Sequence, residues 1–227
     1  MRIHVERRGS GPAIVFLHGL GVSSESWAAQ MAALEDRFTV LAWDLLGHGK
    51  SEVPKDEDLY SRDLALEDLD SILATLGEKP ILVGHSLGGY LSLTYAVTRP
   101  DAIRGMVLIA TGPGFRDPEK REAWNARSKR SAHRFGVEPQ VSGLNLQHDS
   151  MVMDRIAAIS IPTLALAGSA DDASYNGAAK YLERKMQNAR YVEIEGGEHL
   201  MHEESHAPQI AKLIADFTAE LPGEPEA

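Results

Sequence analysis

The amino-acid sequence predicts an α/β fold in which helices flank a mostly parallel central sheet. Short aliphatic runs, several of them apolar at every position, alternate with longer segments of helical periodicity. Strands that are apolar throughout are typical of parallel sheets covered on both faces. Alternation of strands with helices indicates right-handed crossover connections. The chain has 227 residues, which suits one domain with an insertion.

Six runs are predicted to form the main strands, and a short opening strand is expected near residues 3–6. The six runs are residues 13–19, 38–44, 80–85, 103–110, 162–168 and 189–196. Between them, four leucines from Leu66 to Leu76 recur at spacings of three and four, which predicts an amphipathic helix over residues 60–76. The other predicted helices of the core cover residues 86–98, 177–186 and 208–221.

One connection is much longer than a crossover needs. About 50 residues separate the strand that ends near Ala110 from the strand that begins near Pro162, whereas connections inside α/β units are usually far shorter. The excess is predicted to be a short helical cap, and its charged first part, residues 116–134, is predicted to be helical. The resulting division is a core of residues 1–111 and 157–221, a cap of residues 112–156 and a flexible tail of residues 222–227.

Composition excludes several classes of function. The formal net charge of −10 disfavours general binding to nucleic-acid phosphates or anionic membranes. Without cysteine, the chain has no disulfides, thiolate metal sites or cysteine nucleophiles. The opening residues lack the apolar run of a signal peptide, and no stretch approaches the ~20 apolar residues of a membrane span. We expect a cytoplasmic enzyme that acts on small molecules.

A serine flanked by glycines follows one predicted strand. The sequence GHSLG at residues 84–88 matches G-x-S-x-G between a strand and a helix, the context in which such a serine is a nucleophile. The turn is so tight that the serine adopts positive φ, and side chains at the glycine positions would collide with neighbouring elements. The hydroxyl then projects from the carboxyl end of the sheet at a helix N-terminus, where negative charge is favoured. We predict that Ser86 is the nucleophile.

Five motifs are spread along nearly the whole chain outside the predicted insertion. They are FLHGLG at residues 16–21, WDLLGHGKS at 43–51, GHSLGG at 84–89, PTLALAGSADD at 162–172 and EGGEHLMHEE at 195–204. In these motifs and their order the chain resembles the α/β-hydrolase superfamily, in particular its serine esterase and lactonase-like branch. The resemblance implies an α/β-hydrolase fold. It also implies that the backbone N–H groups of Leu20 and Leu87 form an oxyanion hole, whereas His18 and Asp44 hold loops.

The resemblance also implies the partners of Ser86. The acid is expected at Asp171, with Asp172 as a rival, and the base at His199. The neighbouring His85 is not expected to be the base, because adjacent residues at a sharp turn point in different directions. The base must accept a hydrogen bond from the serine while a carboxylate orients its other nitrogen. His85 is expected to pack in a loop or at the rim of the site.

A competing motif lies near the C-terminal end. Residues 202–206 match H-E-x-x-H, a zinc-peptidase motif that requires both histidines on one helical turn. Pro208 biases Ala207 away from helical conformation, so these residues are expected to be loop or turn. No third ligand is evident. We expect no metal, and metal dependence of activity would separate the two interpretations.

The basic segment at residues 116–134 has two interpretations. It contains seven Lys/Arg against three Asp/Glu. It could attract an anionic substrate, but such runs are more often one solvated face of a helix. The solvated face is the favoured interpretation.

The expected activity is hydrolysis of carboxylic esters of small to medium acyl chain, through an acyl-enzyme and without a cofactor. Lactonase of the enol-lactone type and carbon–carbon bond hydrolase are alternatives with the same triad, and a hydrolase-derived small-molecule receptor is an alternative of another class. The substrate would be a small ester or lactone. The fold cannot choose among these reactions, and the sequence does not indicate an oligomeric state.

A short cap predicts an open pocket. Its expected lining is Leu20, Trp27, Leu87, Phe115, Trp124, Leu200 and Met201. Glu198 precedes His199 directly, and a carboxylate close to the imidazole would raise the pKa of the histidine.

Overall fold

A seven-stranded sheet forms the centre of the molecule in the computed structural model, which describes residues 2–203 and 205–221. Its strands are β1 (Val5–Arg8), β2 (Ala13–Leu17), β3 (Thr39–Trp43), β4 (Ile81–His85), β5 (Gly105–Ile109), β6 (Thr163–Gly168) and β7 (Ala189–Ile194). They lie in the order β1-β3-β2-β4-β5-β6-β7, with only the β1–β3 pair antiparallel among the described strands. The predicted α/β architecture is confirmed, and the predicted tail at residues 222–227 lies outside the described residues.

The inner strands are covered on both faces, which explains their uninterrupted apolar sequences. Every residue of β2 to β6 is buried, whereas β7 at the edge is partly exposed. Because these strands are parallel, their carboxyl ends meet at one edge of the sheet, where Leu17 lies opposite Gly84 and His85 lies opposite Ile109. The loops that follow β2, β4, β6 and β7 therefore gather at this edge.

Seven α-helices occur in the described residues. They are α1 (Ala28–Leu34), α2 (Arg62–Leu73), α3 (Leu87–Thr98), α4 (Pro118–Ser131), α5 (Met151–Arg155), α6 (Ala173–Lys185) and α7 (Ala207–Glu220). The sequence pattern does not predict α1 and α5, since helices of seven and five residues are too short to display a clear period. Helix α6 begins four residues before the predicted start, because the Asp172 carboxylate caps it by accepting a hydrogen bond from the Ser174 N–H at 2.9 Å. Among the described residues, no helix combines the length and the apolar character needed to cross a membrane.

Helices cover both faces of the sheet. On one face, α1 and α7 enclose a core cluster that includes Met31, Ile210 and Phe217. On the other face, α2, α3 and α6 enclose a larger cluster that includes Leu69 and Leu91. Burial on both sides makes the sheet a close-packed support for the loops at its edge.

The segment between β5 and β6 lies over that edge. It carries α4, α5 and three 3-10 helices, Ala132–Phe135, Pro139–Asn145 and Ile156–Ala158. Helix α4 confirms the helix predicted from the charged residues, and it begins where Asp117 caps it and Pro118 fills its first turn. The segment contributes Trp124 and Asn145 to the walls of the space beside Ser86.

Candidate active site

Ser86 occupies the strained turn between β4 and α3. Its backbone has φ of 51° and ψ of −111°, a region that residues with a side chain rarely adopt. The turn is held by two hydrogen bonds: the Ser86 N–H donates to the Ile109 carbonyl at 2.9 Å, and the Thr111 hydroxyl donates to the Ser86 carbonyl at 2.7 Å. The strain is thus maintained by the neighbouring strand β5.

The glycines on either side of Ser86 are required by close backbone contacts. A Cβ atom at Gly84 would lie 2.4 Å from the Gly88 carbonyl oxygen, and one at Gly88 would lie 2.1 Å from the Leu17 carbonyl oxygen. Both contacts are with backbone, so no side-chain movement can relieve them. The predicted steric reason for G-x-S-x-G is confirmed.

Two hydrogen bonds join Ser86, His199 and Asp171. The Ser86 hydroxyl and His199 Nε2 are 3.2 Å apart, although 113 positions separate the two residues. On the other side of the ring, His199 Nδ1 and Asp171 Oδ2 are 2.9 Å apart. In the tautomer that donates from Nδ1, the ring accepts from the serine and donates to a carboxylate whose side chain is 6% exposed. Asp172 is not in this chain of bonds, since it is exposed and caps α6.

The loops that carry Asp171 and His199 support each other. The Ala170 N–H donates to the Gly197 carbonyl at 3.0 Å, and the Gly196 N–H donates to the Ser169 hydroxyl at 2.8 Å. The backbones approach so closely that a Cβ at Gly168 would lie 2.0 Å from the Gly197 oxygen. These contacts fix the separation between acid and imidazole.

His85 lies beneath His199 and does not contact Ser86 as a base would. It is buried, its ring centroid is 4.8 Å from that of His199, and its Nε2 donates to the His199 carbonyl at 2.9 Å. Burial, with the neighbouring imidazoles of His202 and His199, holds the pKa of His85 well below its ordinary value. A neutral ring that supports the His199 loop agrees with the packing role predicted for His85.

His18 and Asp44 hold loops, as predicted. His18 Nδ1 donates to the Gly19 carbonyl at 2.7 Å, and its Nε2 accepts from the Leu45 N–H at 2.9 Å. Burial lowers the pKa of His18 to about 3. Asp44 accepts from backbone N–H groups, of Ser24 at 2.6 Å and of Lys50 at 2.8 Å.

The two residues whose amides are predicted to form an oxyanion hole both lie near Ser86, since Leu87 follows it and Leu20 lines the second cavity with it. Leu87 is the first residue of α3, where a helix N–H has no carbonyl partner within the helix. Leu20 follows Gly19, at which a Cβ would lie 3.3 Å from the Ser86 Cβ. No hydrogen-bond partner of the Leu20 N–H is found in the described residues.

Two cavities open beside Ser86. The first has a volume of about 370 Å³, and its walls include Leu87, Tyr90, Thr111, Phe115, Gln147 and Asp172. The second has a volume of about 630 Å³, and its walls include Leu20, Val22, Arg134, Phe135, His199 and Leu200. The cavities share Ser86, Trp124, Arg127, Asn145 and Tyr175. The His199 side chain remains 34% exposed, so the segment above it leaves the site open to solvent.

Two residues predicted to line the pocket lie in the core instead. Trp27 is 0% exposed, with its ring against Phe16 and His202 at centroid distances of 5.0 and 4.4 Å. Met201 is 1% exposed and packs against Gly197. Both point away from the site into the cluster under α1 and α7, and the prediction for them was wrong because proximity in sequence to a motif does not determine side-chain direction. The other five predicted lining residues do lie on the cavity walls.

Tyr175 lies beside Ser86 and His199, and the sequence interpretation missed it. Its ring centroid is 4.6 Å from that of His199, and it lines both cavities. Burial, and then the charge of Asp171, raise the pKa of its hydroxyl. The signal available in the sequence was its position four residues after Asp171, in the first turn of α6.

Glu198 is exposed and makes no hydrogen bond or ion pair with the His199 ring, whose nitrogens face Ser86 and Asp171. The direct contact through which Glu198 would act on the imidazole is therefore not formed.

The H-E-x-x-H residues do not form the helix that a zinc peptidase uses. His202 and His206 lie in turns before α7, and Glu204 lies outside the described residues. His202 is fully buried, whereas His206 Nε2 donates to the Glu195 carbonyl at 3.0 Å. Within residues 2–203 and 205–221, no group of three or more His, Asp or Glu side chains is arranged to hold a metal ion.

Comparisons with known proteins agree with this architecture. A family model described as alpha/beta hydrolase fold matches residues 12–135. The crystal structure of the enol-lactonase from Burkholderia xenovorans superposes with a TM-score of 0.80 over 96% of each chain, at 23% identity. The 2-(acetamidomethylene)succinate hydrolase of Mesorhizobium japonicum is 37% identical over 146 residues, 62% of this chain and 51% of that protein.

One curated relative matches along its whole length. The pimeloyl-(acyl-carrier protein) methyl ester esterase of Aeromonas hydrophila is 27% identical over 257 aligned positions, which cover 96% of this chain and 99% of the esterase. Other curated relatives are longer, and the chain matches 20% to 60% of their length. The family model covers more than half of the chain and includes the serine turn and the loop after β2. The chain belongs to the alpha/beta hydrolase fold family.

Proposed function

We propose that the protein is a serine hydrolase that cleaves carboxylic esters of small to medium acyl chain. The observation that carries the proposal is the pair of hydrogen bonds that connects Ser86 to His199 at 3.2 Å and His199 to Asp171 at 2.9 Å. This constellation activates a hydroxyl that is otherwise a weak nucleophile at neutral pH.

The proposed reaction has two halves. Ser86 Oγ attacks the acyl carbon while His199 Nε2 takes its proton, and the Asp171 carboxylate stabilises the imidazolium that forms. His199 then protonates the leaving alcohol, which departs as the tetrahedral intermediate collapses to an acyl-enzyme. A water molecule deprotonated by His199 releases the acid and restores Ser86. The N–H groups of Leu20 and Leu87 hold the oxyanion, and one such donor is typically worth about 10²–10³ in rate.

The two cavities suggest where each part of the ester binds. The leaving oxygen must reach His199 Nε2, and His199 lines only the second cavity. We therefore place the leaving group in the second cavity and the acyl chain in the first. The first cavity has aromatic walls at Phe115 and Trp124, and its volume of about 370 Å³ is at the small end for ligand pockets. This size supports the assignment to small or medium acyl chains.

The methyl ester esterase that matches along its whole length supports ester cleavage by this chain. Hydrolysis of lactones or carbon–carbon bonds would use the same triad, and a receptor would bind a ligand with little turnover. These are the alternative outcomes of the test.

The test is an assay of p-nitrophenyl esters from acetate to laurate, with and without EDTA, for the wild type and Ser86→Ala. We expect short esters to be hydrolysed, EDTA to have no effect, and the variant to lose about 10⁴–10⁶ of kcat. Loss of activity in EDTA with Ser86→Ala still active would overturn the proposal. A wild type that cleaves lactones but no ester would identify a lactonase, and tight ligand binding without turnover would identify a receptor.

A further inference from the structure

The second cavity is positively charged. Its walls include Arg127 and Arg134, and among the described residues no carboxylate lines it. The charge is unusual in its setting, because the chain as a whole carries a formal net charge of −10. A cleft lined by charges of one sign raises the local concentration of ligands of the opposite charge.

The structure sorts the basic residues of the α4 region into distinct groups. Arg116 pairs with Asp154 at 2.9 Å, and the Arg121 guanidinium donates to backbone carbonyls. Arg130 lines neither cavity. Only Arg127 and Arg134 face the space that Ser86 and His199 also face. The solvated face favoured for this helix therefore describes only part of it.

Arg127 is positioned on an aromatic ring and forms no direct ion pair in the described residues. Its guanidinium lies over the Trp124 ring, 5.4 Å from the centroid, and the Trp124 Nε1 donates to the Asn145 carbonyl at 3.1 Å. In the described part of the chain, neither Arg127 nor Arg134 forms an ion pair. Asp172 lines the first cavity and caps α6, and the charge of Arg127 contributes to lowering the pKa of Asp172 without a direct ion pair. Stacking on an aromatic ring leaves the guanidinium free to bind an anion with its N–H groups.

We infer that Arg127 and Arg134 form a subsite for an anionic group, a carboxylate or a phosphate, on the leaving-group part of the substrate. The inference rests on the proposed ester hydrolysis, since the second cavity is the one that His199 lines. Guanidinium groups bind either anion through paired, charge-assisted hydrogen bonds. The alcohol released when the acyl-enzyme forms would then carry the negative charge.

The kinetic test compares esters that share one acyl group and differ in the charge of the leaving group. The probes are 4-acetoxybenzoate, 4-acetoxyphenyl phosphate and the neutral 4-acetoxybenzamide. We expect the wild type to favour at least one anion over the amide by about tenfold or more in kcat/KM, mainly through KM. The anion with the larger ratio identifies the group that the subsite takes.

The variants Arg127→Gln and Arg134→Gln should each lower this ratio several-fold. Arg130→Gln removes the same charge from α4, the helix that carries Arg127, at a position outside the cavities, and it should leave the ratio unchanged. Added salt should lower the ratio in the wild type and in Arg130→Gln, because exposed charges are screened. It should change the ratio less in Arg127→Gln and Arg134→Gln. A wild-type ratio near one, or an equal effect of all three variants, would overturn the inference.

A binding measurement separates this inference from the proposed reaction. Binding of 4-hydroxybenzoate, 4-hydroxyphenyl phosphate and 4-hydroxybenzamide to Ser86→Ala is measured by calorimetry, with and without the additional change Arg127→Gln. Stronger binding of an anionic phenol that depends on Arg127 supports the subsite even if no ester is cleaved. Hydrolysis of all three esters without anion preference rejects the subsite and leaves the proposed function intact. Absence of both anion binding and anion preference rejects the subsite.

Discussion

Arg62 and Asp149 connect the core helix α2 to the segment over the active site. Both terminal nitrogens of the Arg62 guanidinium donate to the two Asp149 carboxylate oxygens, each at 3.0 Å. The Arg62 side chain is 8% exposed and that of Asp149 is 43% exposed. The guanidinium is the main reason that the pKa of Asp149 lies below its ordinary value. This half-buried pair therefore links the stability of the fold to the position of the cavity walls.

Removing this link should affect both stability and substrate binding. Arg62→Met keeps the aliphatic stem but leaves Asp149 without its partner, so we expect the free energy of unfolding to fall by about 1–3 kcal/mol and KM to rise. Urea denaturation and ester kinetics measure the two effects. Asp63→Asn is the control, because Asp63 also accepts from Arg62 but is 74% exposed, and exposed pairs contribute about 0–1 kcal/mol. Equal losses in both variants would contradict this account.

Two buried histidines should make the fold sensitive to acid. Burial lowers the pKa of His202 to about 3 and that of His18 to about 3, whereas an unfolded histidine titrates near 6.5. Between about pH 3 and pH 6.5 the unfolded state therefore binds more protons than the folded state. Stability is therefore complete above about pH 6.5 and is lost as pH falls towards 3, by about 1.4 kcal/mol per pH unit for each histidine.

The variant His202→Phe tests this prediction. Neither ring nitrogen of His202 has a hydrogen-bond partner in the described residues, and the ring packs against Trp27 and His85. A phenyl ring should preserve this packing and remove one titration, so the loss of stability between pH 6.5 and 4.5 should become shallower by about 1.4 kcal/mol per unit. The exposed His133→Phe serves as the control. An unchanged slope in His202→Phe would show that His202 does not titrate on unfolding.

The two adjacent aspartates should differ sharply in their effect on catalysis. Asp171→Asn replaces the carboxylate that faces His199 Nδ1, and we expect kcat to fall by about 10⁴ because the amide favours the wrong tautomer. Asp172→Asn should change kcat little, since asparagine also caps a helix. Measurement of kcat and of melting temperature for both proteins distinguishes them. A larger loss in Asp172→Asn would transfer the acid role to that residue.

A methyl group should be tolerated at one glycine and not at another. Gly88→Ala would place Cβ 2.1 Å from the Leu17 carbonyl oxygen, so we expect a loss of about 1–3 kcal/mol and a fall in kcat/KM of about 10² from misplacement of Ser86. Gly177→Ala in α6 has nothing within 4 Å of the new Cβ and should stabilise the protein by about 0.4–1 kcal/mol. Circular-dichroism melting of both variants checks the contrast. A stable, fully active Gly88→Ala would refute the proposed contact at the serine turn.

Local sequence patterns predicted much of the fold and the turn at the centre of the site. Uninterrupted apolar runs predicted the buried strands, because a strand covered on both faces has no solvent side. The G-x-S-x-G turn predicted the conformation of Ser86, because the backbone contacts that exclude side chains at Gly84 and Gly88 arise within a strand, a turn and a helix. The resemblance to a family with the same order of motifs indicated His199 and Asp171. In the structure, His199 lies within hydrogen-bond distance of both Ser86 and Asp171.

The walls of the site depend on contacts that no local pattern encodes. Trp27 and Met201 are apolar residues near family motifs, yet their side chains enter the core under α1 and α7. Arg127 lies in a basic run. It differs from the other basic residues of α4 only because that helix lies over the sheet edge and places Arg127 on the cavity wall. By itself the sequence determined the alternation of strands with the longer helices and the conformation of the turn at Ser86, since these follow from periodicity and short-range sterics. Only the tertiary structure decided which side chains face the substrate space, because that depends on how distant segments pack.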